Sequence, residues 1–362
     1  MKKKTSFVLI LLLLLIFSFA YSIHAAELEE YEKIIDKTAE CILKNVIKPQ
    51  IGSVGGEWTI LGLRQSGYAV DDEYYSNYYT SLEEYIKSVD GVLHKRKYTE
   101  YSRVILALDA IGKNPSDVGG YNLLMPLGDY ENTVMQGING AIWALIALDS
   151  GDYEIPINNM AKTQATRDMY LDKILDSQLA DGGWSMGKEE SDIDITAMAL
   201  CALSEYTYRD DVNKASERAI VMLSERQNEN GGFLCMGEEN SESTAQVITA
   251  LCKLGISLDD TRFVKKGNSL FDNLMSYALY DGGFSHTKGG GFNLMATEQA
   301  LGALNAVKDN RVKPESFESI TADFCKQNNL FDGCFFWVNS DKYVLRKNFA
   351  EAVYNVMRKA KR

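Results

Sequence analysis

Proline is scarce in this chain, with 5 in 362 residues. No segment is rich in Ser and Pro, and no block of like charges separates one part of the chain from another. Flexible linkers between modules usually carry such compositions. With 46% hydrophobic residues, the chain is also too apolar for a disordered protein. These absences predict one continuous domain with a large core.

Alternating strands and an excess of positive charge are also missing. Period-2 alternation of apolar and polar residues is nearly absent, whereas apolar residues recur at helical spacing. Lys and Arg number 38 against 50 Asp and Glu, which gives a formal net charge of −12. A surface of that sign argues against a nucleic-acid partner. The predicted fold class is therefore all-α, without nucleic acid as a ligand.

The N-terminus has the features of a secretory signal peptide. Lysines at positions 2–4 precede an apolar run over 7–20, and the segment ends in Ala25-Ala26. A basic flank, an apolar run and small residues at the exit are typical of such signals. We expect 1–25 to be removed and 26–362 to be a single domain, secreted or at the cell surface, with no membrane span. An uncleaved anchor is the alternative, because the run is about as long as a short span.

Six cysteines are present, but none forms a Cys-x-x-Cys pair of the kind used by zinc and redox sites. Cys201 and Cys252 lie in apolar helical runs, where a free thiol behaves as a small hydrophobe. If a disulfide forms, Cys325 and Cys334 are the best placed pair, since nine positions and a turn separate them.

The most informative pattern is a recurring turn in which an aromatic residue follows glycine. Its copies are QLADGGW at 178–184, QNENGGF at 227–233, DGGF at 281–284 and DGCF at 332–335. Corresponding glycines are 49, 51 and 51 residues apart. A fixed period of this size indicates one supersecondary unit that is stacked repeatedly.

Each interval between turns contains two helical patterns, and the second is rich in alanine at close-packing positions. Earlier units, near Gly55, Gly91 and Gly137, are less regular, so six or seven helix pairs are expected. Two architectures remain open at this point. The pairs form either an open solenoid with polar caps or a closed ring with the alanine-rich helices inside.

The turns resemble the repeat motif of terpenoid cyclases and prenyltransferases: Gln178-x-x-x-Gly182-x-Trp184 matches the motif, and 227–233 matches its aromatic variant. In that superfamily the repeats build an α/α toroid, a double ring of helices around a cavity. The resemblance covers about residue 50 to the C-terminus and implies the closed ring. Squalene and hopene cyclases, protein prenyltransferase β subunits and cobalamin carriers of the transcobalamin and intrinsic factor type share it. The segments 241–246 and 289–299 are similar to exported bacterial toroid proteins.

The segment DIDITA at 192–197 resembles the Asp-x-Asp-Asp-Thr-Ala motif of class II terpene cyclases. This resemblance implies catalytic roles for Asp192 and Asp194, with Asp194 as the proton donor. Ile195 replaces the third aspartate of the motif. The alternative role is structural, because Asp192 at an N-cap and Asp194 in the first turn would satisfy free amides and the helix dipole.

The other relatives imply different ligands. Prenyltransferases hold zinc with Asp, Cys and His, but His94 and His286 are the only histidines after the signal and no Asp-x-Cys precedes an inner helix, so no metal is expected. Cobalamin carriers bind a corrinoid between the toroid and a C-terminal β domain, whereas 342–362 is predicted to be helical. A corrinoid ligand would therefore need a separate β-domain partner or a second copy of the chain. No other cofactor is expected.

The leading hypothesis is an exported toroid that binds a small-molecule ligand or a surface partner in its central mouth, a corrinoid and an isoprenoid-like molecule being the candidate ligands. Trp184 and His286 are expected at the rim, and the turn aromatics Trp184, Phe233, Phe284 and Phe335 between adjacent pairs. The residues predicted to line the mouth are Asp192, Asp194, Trp184, Glu242, Gln246, His286, Glu298 and Gln299. Two alternatives remain: a class II-type terpene cyclase with Asp194 as acid, and a structural cell-surface module.

Overall fold

The computed structural model describes residues 28–312, except Lys188 and Met236. Nearly all of these residues fall in one compact unit, Tyr31–Asn310. The helices in chain order are α1 (28–45), α2 (Trp58–Ser66), α3 (Asp72–Ser88), α4 (Thr99–Ala110), α5 (Tyr130–Thr133), α6 (Ile138–Ser150), α7 (Arg167–Leu175), α8 (Ile193–Leu203), α9 (Asp210–Arg226), α10 (Ser241–Lys253), α11 (Leu270–Met275) and α12 (Leu294–Val312). A short antiparallel hairpin, β1 (Leu234–Cys235) and β2 (Glu238–Glu239), precedes α10.

The even-numbered helices form an inner ring and the odd-numbered elements an outer one, as the all-α toroid prediction requires. Alanines of α6, α8, α10 and α12, such as Ala144, Ala199, Ala250 and Ala303, are fully buried. Small side chains allow neighbouring helix axes to approach closely. The six inner helices can therefore pack side by side around one axis.

Asx caps start the later inner helices at equivalent points. Asp192 accepts a hydrogen bond from the Ile195 amide (2.9 Å), and Asn240 accepts one from the Ser243 amide (2.8 Å). Asn293 accepts one from the amide of Ala296 at 3.0 Å. Each cap satisfies an amide that has no partner within the helix. The repeated caps set the same entry point for α8, α10 and α12.

The recurring turn joins each outer element to the next. The Gln178 side-chain amide donates to the carbonyls of Gly182 and Ala215, both at 2.7 Å, and Ala215 belongs to the following outer helix. Gly182 has a φ of +100°, and a Cβ there would lie 2.7 Å from the Arg218 carbonyl oxygen. Only glycine fits this close approach without strain. The Gln and the Gly of the motif are thus explained by contact between adjacent repeats.

The ring closes on itself within the described residues. A Cβ at Gly282 would lie 2.3 Å from the carbonyl oxygen of Lys37 in α1, which takes the place of the next outer helix. In the inner layer, the Asn305 amide of α12 donates to the Gly62 carbonyl of α2 at 2.9 Å. Lys308 donates to the Ser66 carbonyl at 3.0 Å. The prediction of circular closure is confirmed, with six repeats in the part of the chain that the structure describes.

The third outer position departs from the pattern. It holds a 3₁₀ turn (Met125–Gly128) and the single turn of α5 in place of a long helix. Pro115, Pro126 and the Gly119-Gly120 pair interrupt helical geometry there. Of the three irregular early units in the sequence, the one near Gly137 follows this region directly.

Several predictions fall outside residues 28–312: the signal peptide, the turn at 332–335 with Phe335, the pair Cys325 and Cys334, and the helix over 342–362. The extension of a single domain to residue 362 stays a prediction. The four cysteines in the described part are all free. Among the described helices, none is both long and apolar enough to cross a membrane.

Candidate functional site

The inner helices all begin at the same face of the ring, which we call the mouth. The second residue of each inner helix lies close to the mouth. Asp194 of α8 and Glu242 of α10 occupy this position in adjacent repeats. The sequence therefore places carboxyl groups side by side around part of the mouth.

Asp192 and Asp194 have different environments. Asp192 caps α8 through its Oδ1 atom. Asp194 makes no such bond, and its Oδ1 is buried without a completed hydrogen bond. Both carboxylates contact the Cys235 thiol, whose Sγ lies 4.0 Å from Asp192 and 3.8 Å from Asp194. The predicted capping role of Asp192 is confirmed, whereas Asp194 keeps one oxygen without a completed hydrogen bond.

Burial is the main cause that raises the pKa of Asp194 above its ordinary value. The Ser243 hydroxyl and the Cys235 thiol oppose this shift, while the Asp192 and Glu242 carboxylates add to it. Burial, together with the two aspartates, also raises the pKa of Cys235 to about 11. The cluster therefore favours protonated side chains.

Glu242 and His286 form a hydrogen-bonded pair at the mouth. The imidazole Nδ1 lies 2.9 and 2.8 Å from the two carboxylate oxygens of Glu242. The Glu242 side chain is 6% exposed, whereas His286 is 44% exposed. The backbone is fixed as well, because the Ser241 amide donates to the His286 carbonyl at 3.0 Å. The rim position predicted for His286 is consistent with this exposure.

Glu298 does not line the mouth as the sequence predicted. It lies in the contact between α12 and α2, which we call the seam, and is 4% exposed. Its Oε1 accepts hydrogen bonds from the Gly55 amide (2.9 Å) and from the Thr59 hydroxyl, while its Oε2 is buried without a partner. Burial raises the pKa of Glu298 to about 7. The helical phase explains the error, since neighbours in a helix point about 100° apart.

A second buried carboxyl, Glu57, lies beside the seam. Arg103 Nε donates to it at 2.9 Å and the Tyr78 hydroxyl at 3.1 Å. The Gly52 amide is also within 3.2 Å of this carboxylate. Burial raises the pKa of Glu57, and the charge of Arg103 opposes the rise. Three groups thus donate hydrogen bonds to Glu57: the Arg103 guanidinium, the Tyr78 hydroxyl and the Gly52 amide.

The inner faces of the helices remain partly exposed. Residues at helical spacing on α6 and α8 are neither buried nor at the outer surface, namely Trp143, Ile146, Ile195, Met198 and Cys201. A Cβ added at Gly302, in the middle of α12, would meet no atom of the described residues within 4 Å. Gly302 lies three positions after Gln299, on the same side of α12, and Gln299 contacts Gln246 of the neighbouring inner helix, so we place this space on the inner side of the ring. We call it the hollow.

Tryptophans and glutamines narrow the hollow. Trp58 of α2 and Trp143 of α6 are separated by α4 in the ring, yet their ring centroids are 5.2 Å apart. Gln246 donates to Gln299 at 3.0 Å between α10 and α12, and both are partly exposed. The lining is thus mainly apolar and aromatic, with one amide pair.

Trp184 is absent from this lining, and the prediction that placed it at the rim is wrong. It is fully buried, and its indole N–H donates to the Ile174 carbonyl at 2.7 Å. Phe233 and Phe284 are buried in the same way. All three turn aromatics are core residues, and their packing between adjacent pairs stays a prediction.

The sequence interpretation missed Trp58, Trp143 and Cys235. Trp58 and Trp143 lie in early repeats whose turns are irregular, so their helical phase was not assigned. Cys235 lies on the β1–β2 hairpin that follows the turn at 227–233. Its place two positions after this turn could have indicated that it lies near the start of the next inner helix. Within the described residues, no cluster of three or more His, Cys, Asp or Glu side chains could hold a metal ion.

Residues 125–347, well over half of the chain, match the family model of the prenyltransferase alpha-alpha toroid domain. No curated protein matches the chain.

Solved structures of the type II terpene cyclase MstE from Scytonema have a similar fold. A ligand-free variant has a TM-score of 0.52 and 13% identity, covering 79% of this chain and 99% of that one. A variant in complex with its substrate, geranylgeranyl dihydroxybenzoate, has a TM-score of 0.52 and 14% identity with the same coverage. A third, with the product merosterolic acid A, has a TM-score of 0.51 and 14% identity, again with the same coverage. At this identity the likeness establishes the fold alone.

Proposed function

The chain belongs to the prenyltransferase alpha-alpha toroid domain family, and on that premise we propose that its ring binds an apolar, isoprenoid-like small molecule in the hollow. The observation that carries this proposal is the open space beside Gly302. Binding sites for small molecules are concave and mainly apolar, with a few placed polar groups. The hollow has this composition: Trp58 and Trp143 on one side, and the Gln246–Gln299 pair on another.

The mouth supports the same ligand class. Every connection that leads into a described inner helix carries at least one exposed, large apolar side chain, and these are Ile47, Val92, Met135, Met186, Leu234 and Phe292. Exposed apolar residues that are grouped together mark interaction sites more often than scattered ones do. Methionine side chains adapt to ligands of different shape. An apolar molecule would meet compatible surface as it approaches the hollow.

Tryptophan fluorescence tests the proposal. Geranylgeraniol delivered from cyclodextrin should change the emission of Trp58 and Trp143 in a saturable way. A Trp143→Phe variant should lose much of the change, whereas Trp184→Phe, away from the hollow, should keep it. A corrinoid and squalene serve as parallel probes.

A variant that fills the hollow supplies the matched control. Gly302→Phe places a ring in the open space and should abolish binding while the protein stays folded, because a Cβ there meets no atom of the described residues within 4 Å. Val221→Phe adds the same ring to the exposed outer surface of α9 and should bind normally. Equal binding by both variants would contradict the proposal.

A second candidate is acid-initiated cyclisation by Asp194. The observation that favours it is a buried aspartate with a raised pKa and an oxygen without a completed hydrogen bond. Transfer of its proton to a terminal alkene carbon would form a C–H bond and leave a cation on the neighbouring carbon, which a second alkene then attacks. Loss of a proton to water would end the sequence. Trp58 and Trp143 would stabilise the cation with their ring faces.

The charges around Asp194 favour ligand binding over acid catalysis as the function of the ring. The carboxylate left after proton transfer would have Asp192 and Glu242 nearby and no described cation, so the acid would be weak. Incubation of wild type and Asp194→Asn with squalene and geranylgeranyl dihydroxybenzoate decides between the roles. Cyclic products from wild type alone would establish catalysis, and identical product profiles would exclude it.

We also propose that the protein is exported, since the features of 1–25 support a secretory signal. N-terminal sequencing of protein from the culture medium or the cell surface tests this, because a mature start near residue 26 is expected. If the ligand is a corrinoid, a separate β-domain chain or a second copy would complete its site. A structural surface module would be favoured if no probe binds.

A further inference from the structure

The Glu242–His286 pair presents one free ring nitrogen at the mouth. We assign the imidazole proton to Nδ1, because a carboxylate can only accept hydrogen bonds and both Glu242 oxygens lie within 2.9 Å of that atom. Nε2 then carries a lone pair. Within residues 28–312 it has no hydrogen-bond partner, and the side chain is 44% exposed.

The pair is held firmly. Glu242 is almost fully buried, and its Oε2 lies 3.1 Å from the Ser241 hydroxyl. The same hydroxyl donates to the Ser285 carbonyl at 2.8 Å, and the Ser241 amide donates to the His286 carbonyl at 3.0 Å. A buried carboxylate that orients an imidazole through one nitrogen fixes the direction of the other. The acceptor at the mouth is therefore preorganised.

The charges around the pair disfavour a ligand whose polar end is negatively charged. The carboxylates of Asp192 and Glu242 lie on this side of the mouth, and their charges help to raise the pKa of Asp194 between them. Lys288 is near, but its amine lies 3.8 Å from Glu239 and 5.5 Å from the Tyr277 ring centre. A carboxylate or phosphate would meet like charge here, whereas a neutral donor would meet acceptors.

We propose that His286 Nε2 accepts a hydrogen bond from a hydroxyl at the head of the apolar ligand, so that the preferred ligand is a polyprenyl alcohol or phenol. This inference rests on the proposed function. Glu242 is the positioning residue, since it acts through His286. The tail of the ligand lies in the hollow and its head stays at the rim.

Three probes share the same apolar tail and differ only in the headgroup, so differences in their affinity report on the headgroup contact. They are geranylgeraniol, its methyl ether and geranylgeranoic acid. The ether lacks the donor, and the acid carries a negative charge. Wild type should bind the alcohol about fivefold more tightly than the ether, the value of one hydrogen bond of about 1 kcal/mol. The acid should bind more weakly than the alcohol at neutral pH.

Two substitutions of His286 keep the test specific. His286→Asn retains an N–H near the Nδ1 position and can still donate to Glu242, but has no atom at Nε2, so the preference for alcohol over ether should vanish. His286→Gln places an amide near the Nε2 position and should restore part of the preference. His94→Asn, a change on another connection of the ring, should leave it unchanged.

The outcomes distinguish the two proposals. Binding of all three probes with equal affinity, tighter binding of the acid, or a preference that survives in His286→Asn would overturn the hydroxyl contact and leave the hollow as a binding site. Absence of binding by every probe to the wild type would overturn the proposed function, and the headgroup inference with it.

Discussion

The mouth and the seam both contain buried carboxyl groups near the first turns of inner helices, but their surroundings differ. At the seam, Glu57 is matched by Arg103 and Tyr78, and Glu298 is pinned by Gly55 and Thr59. At the mouth, Asp194 has the Ser243 hydroxyl and the Cys235 thiol as partners, and the charges near it are those of Asp192 and Glu242. Beside the seam, the buried carboxyl of Glu57 thus has a cation as its partner, whereas the charges nearest Asp194 are carboxylates.

This difference in partners distinguishes carboxyl groups that hold the ring together from a carboxyl group that can interact with a ligand. A buried charge without a partner costs several kcal/mol, so the seam needs its partners to remain closed. Asp194 lies among carboxylates and can take a proton instead, as Glu298 also does with its pKa of about 7. Four substitutions test this contrast, beginning with the largest expected effect.

Arg103→Met should have the largest effect on stability. It leaves Glu57 buried without its cation, and the loss of one partner of such a pair costs about 3 to 5 kcal/mol. Urea unfolding measures this loss. The double variant Arg103→Met with Glu57→Gln should recover part of it, and a loss below 1 kcal/mol would show that the ion pair does not support the seam.

Glu298→Gln should change the pH dependence of stability. The pKa of Glu298 is about 7 in the folded protein against an ordinary value of 4.5, so the folded state holds the proton more tightly. Stability should therefore be highest below about pH 4.5 and fall as pH rises towards 7, by about 3 kcal/mol in all. Thermal unfolding of the variant between pH 5 and 8 should lack this slope. A slope equal to that of wild type would show that another group is responsible.

Asp192→Ala removes the cap of α8 and should cost about 1 kcal/mol. Asp192→Asn keeps an oxygen for the Ile195 amide and should cost much less. Chemical denaturation of the two variants gives the comparison. If both lose the same amount, the charge of Asp192 and not its cap stabilises the helix.

Asp194→Asn should have the smallest effect, within about 0.5 kcal/mol of wild type and in the stabilising direction. It removes a carboxyl whose charged form is opposed by burial and by the neighbouring Asp192 and Glu242. Differential scanning calorimetry at pH 7 is the measurement. A loss above 2 kcal/mol would place Asp194 among the carboxyl groups that hold the ring together.

The fold could be predicted from the sequence because the turn repeats. The spacing of Gly182, Gly231 and Gly282 fixes the repeat, and each glycine is needed where its turn touches the next outer element. Asp192 could be recognised as a cap because local hydrogen bonds determine that role. These features depend on near neighbours in the chain.

The lining of the hollow could not be predicted with the same success. Gln299 faces inward and Glu298 faces the seam, although they are adjacent, so an error of one residue in helical phase moves a side chain to a different environment. The contact between Trp58 and Trp143 joins two distant repeats. Such contacts depend on how the ring closes, and the sequence pattern carries no direct sign of them.

The ligand can bind only if the hollow is open, and the reactivity of Cys201 tests this directly. Cys201 is partly exposed on the inner face of α8, whereas Cys41 is 2% exposed. Methyl methanethiosulfonate at pH 9 should modify Cys201 slowly, since burial raises its pKa to about 11, and Cys41 should not react. Mass spectrometry should then show Cys201 protected by geranylgeraniol. Equal modification of Cys201 with and without this ligand, or none under either condition, would contradict the account.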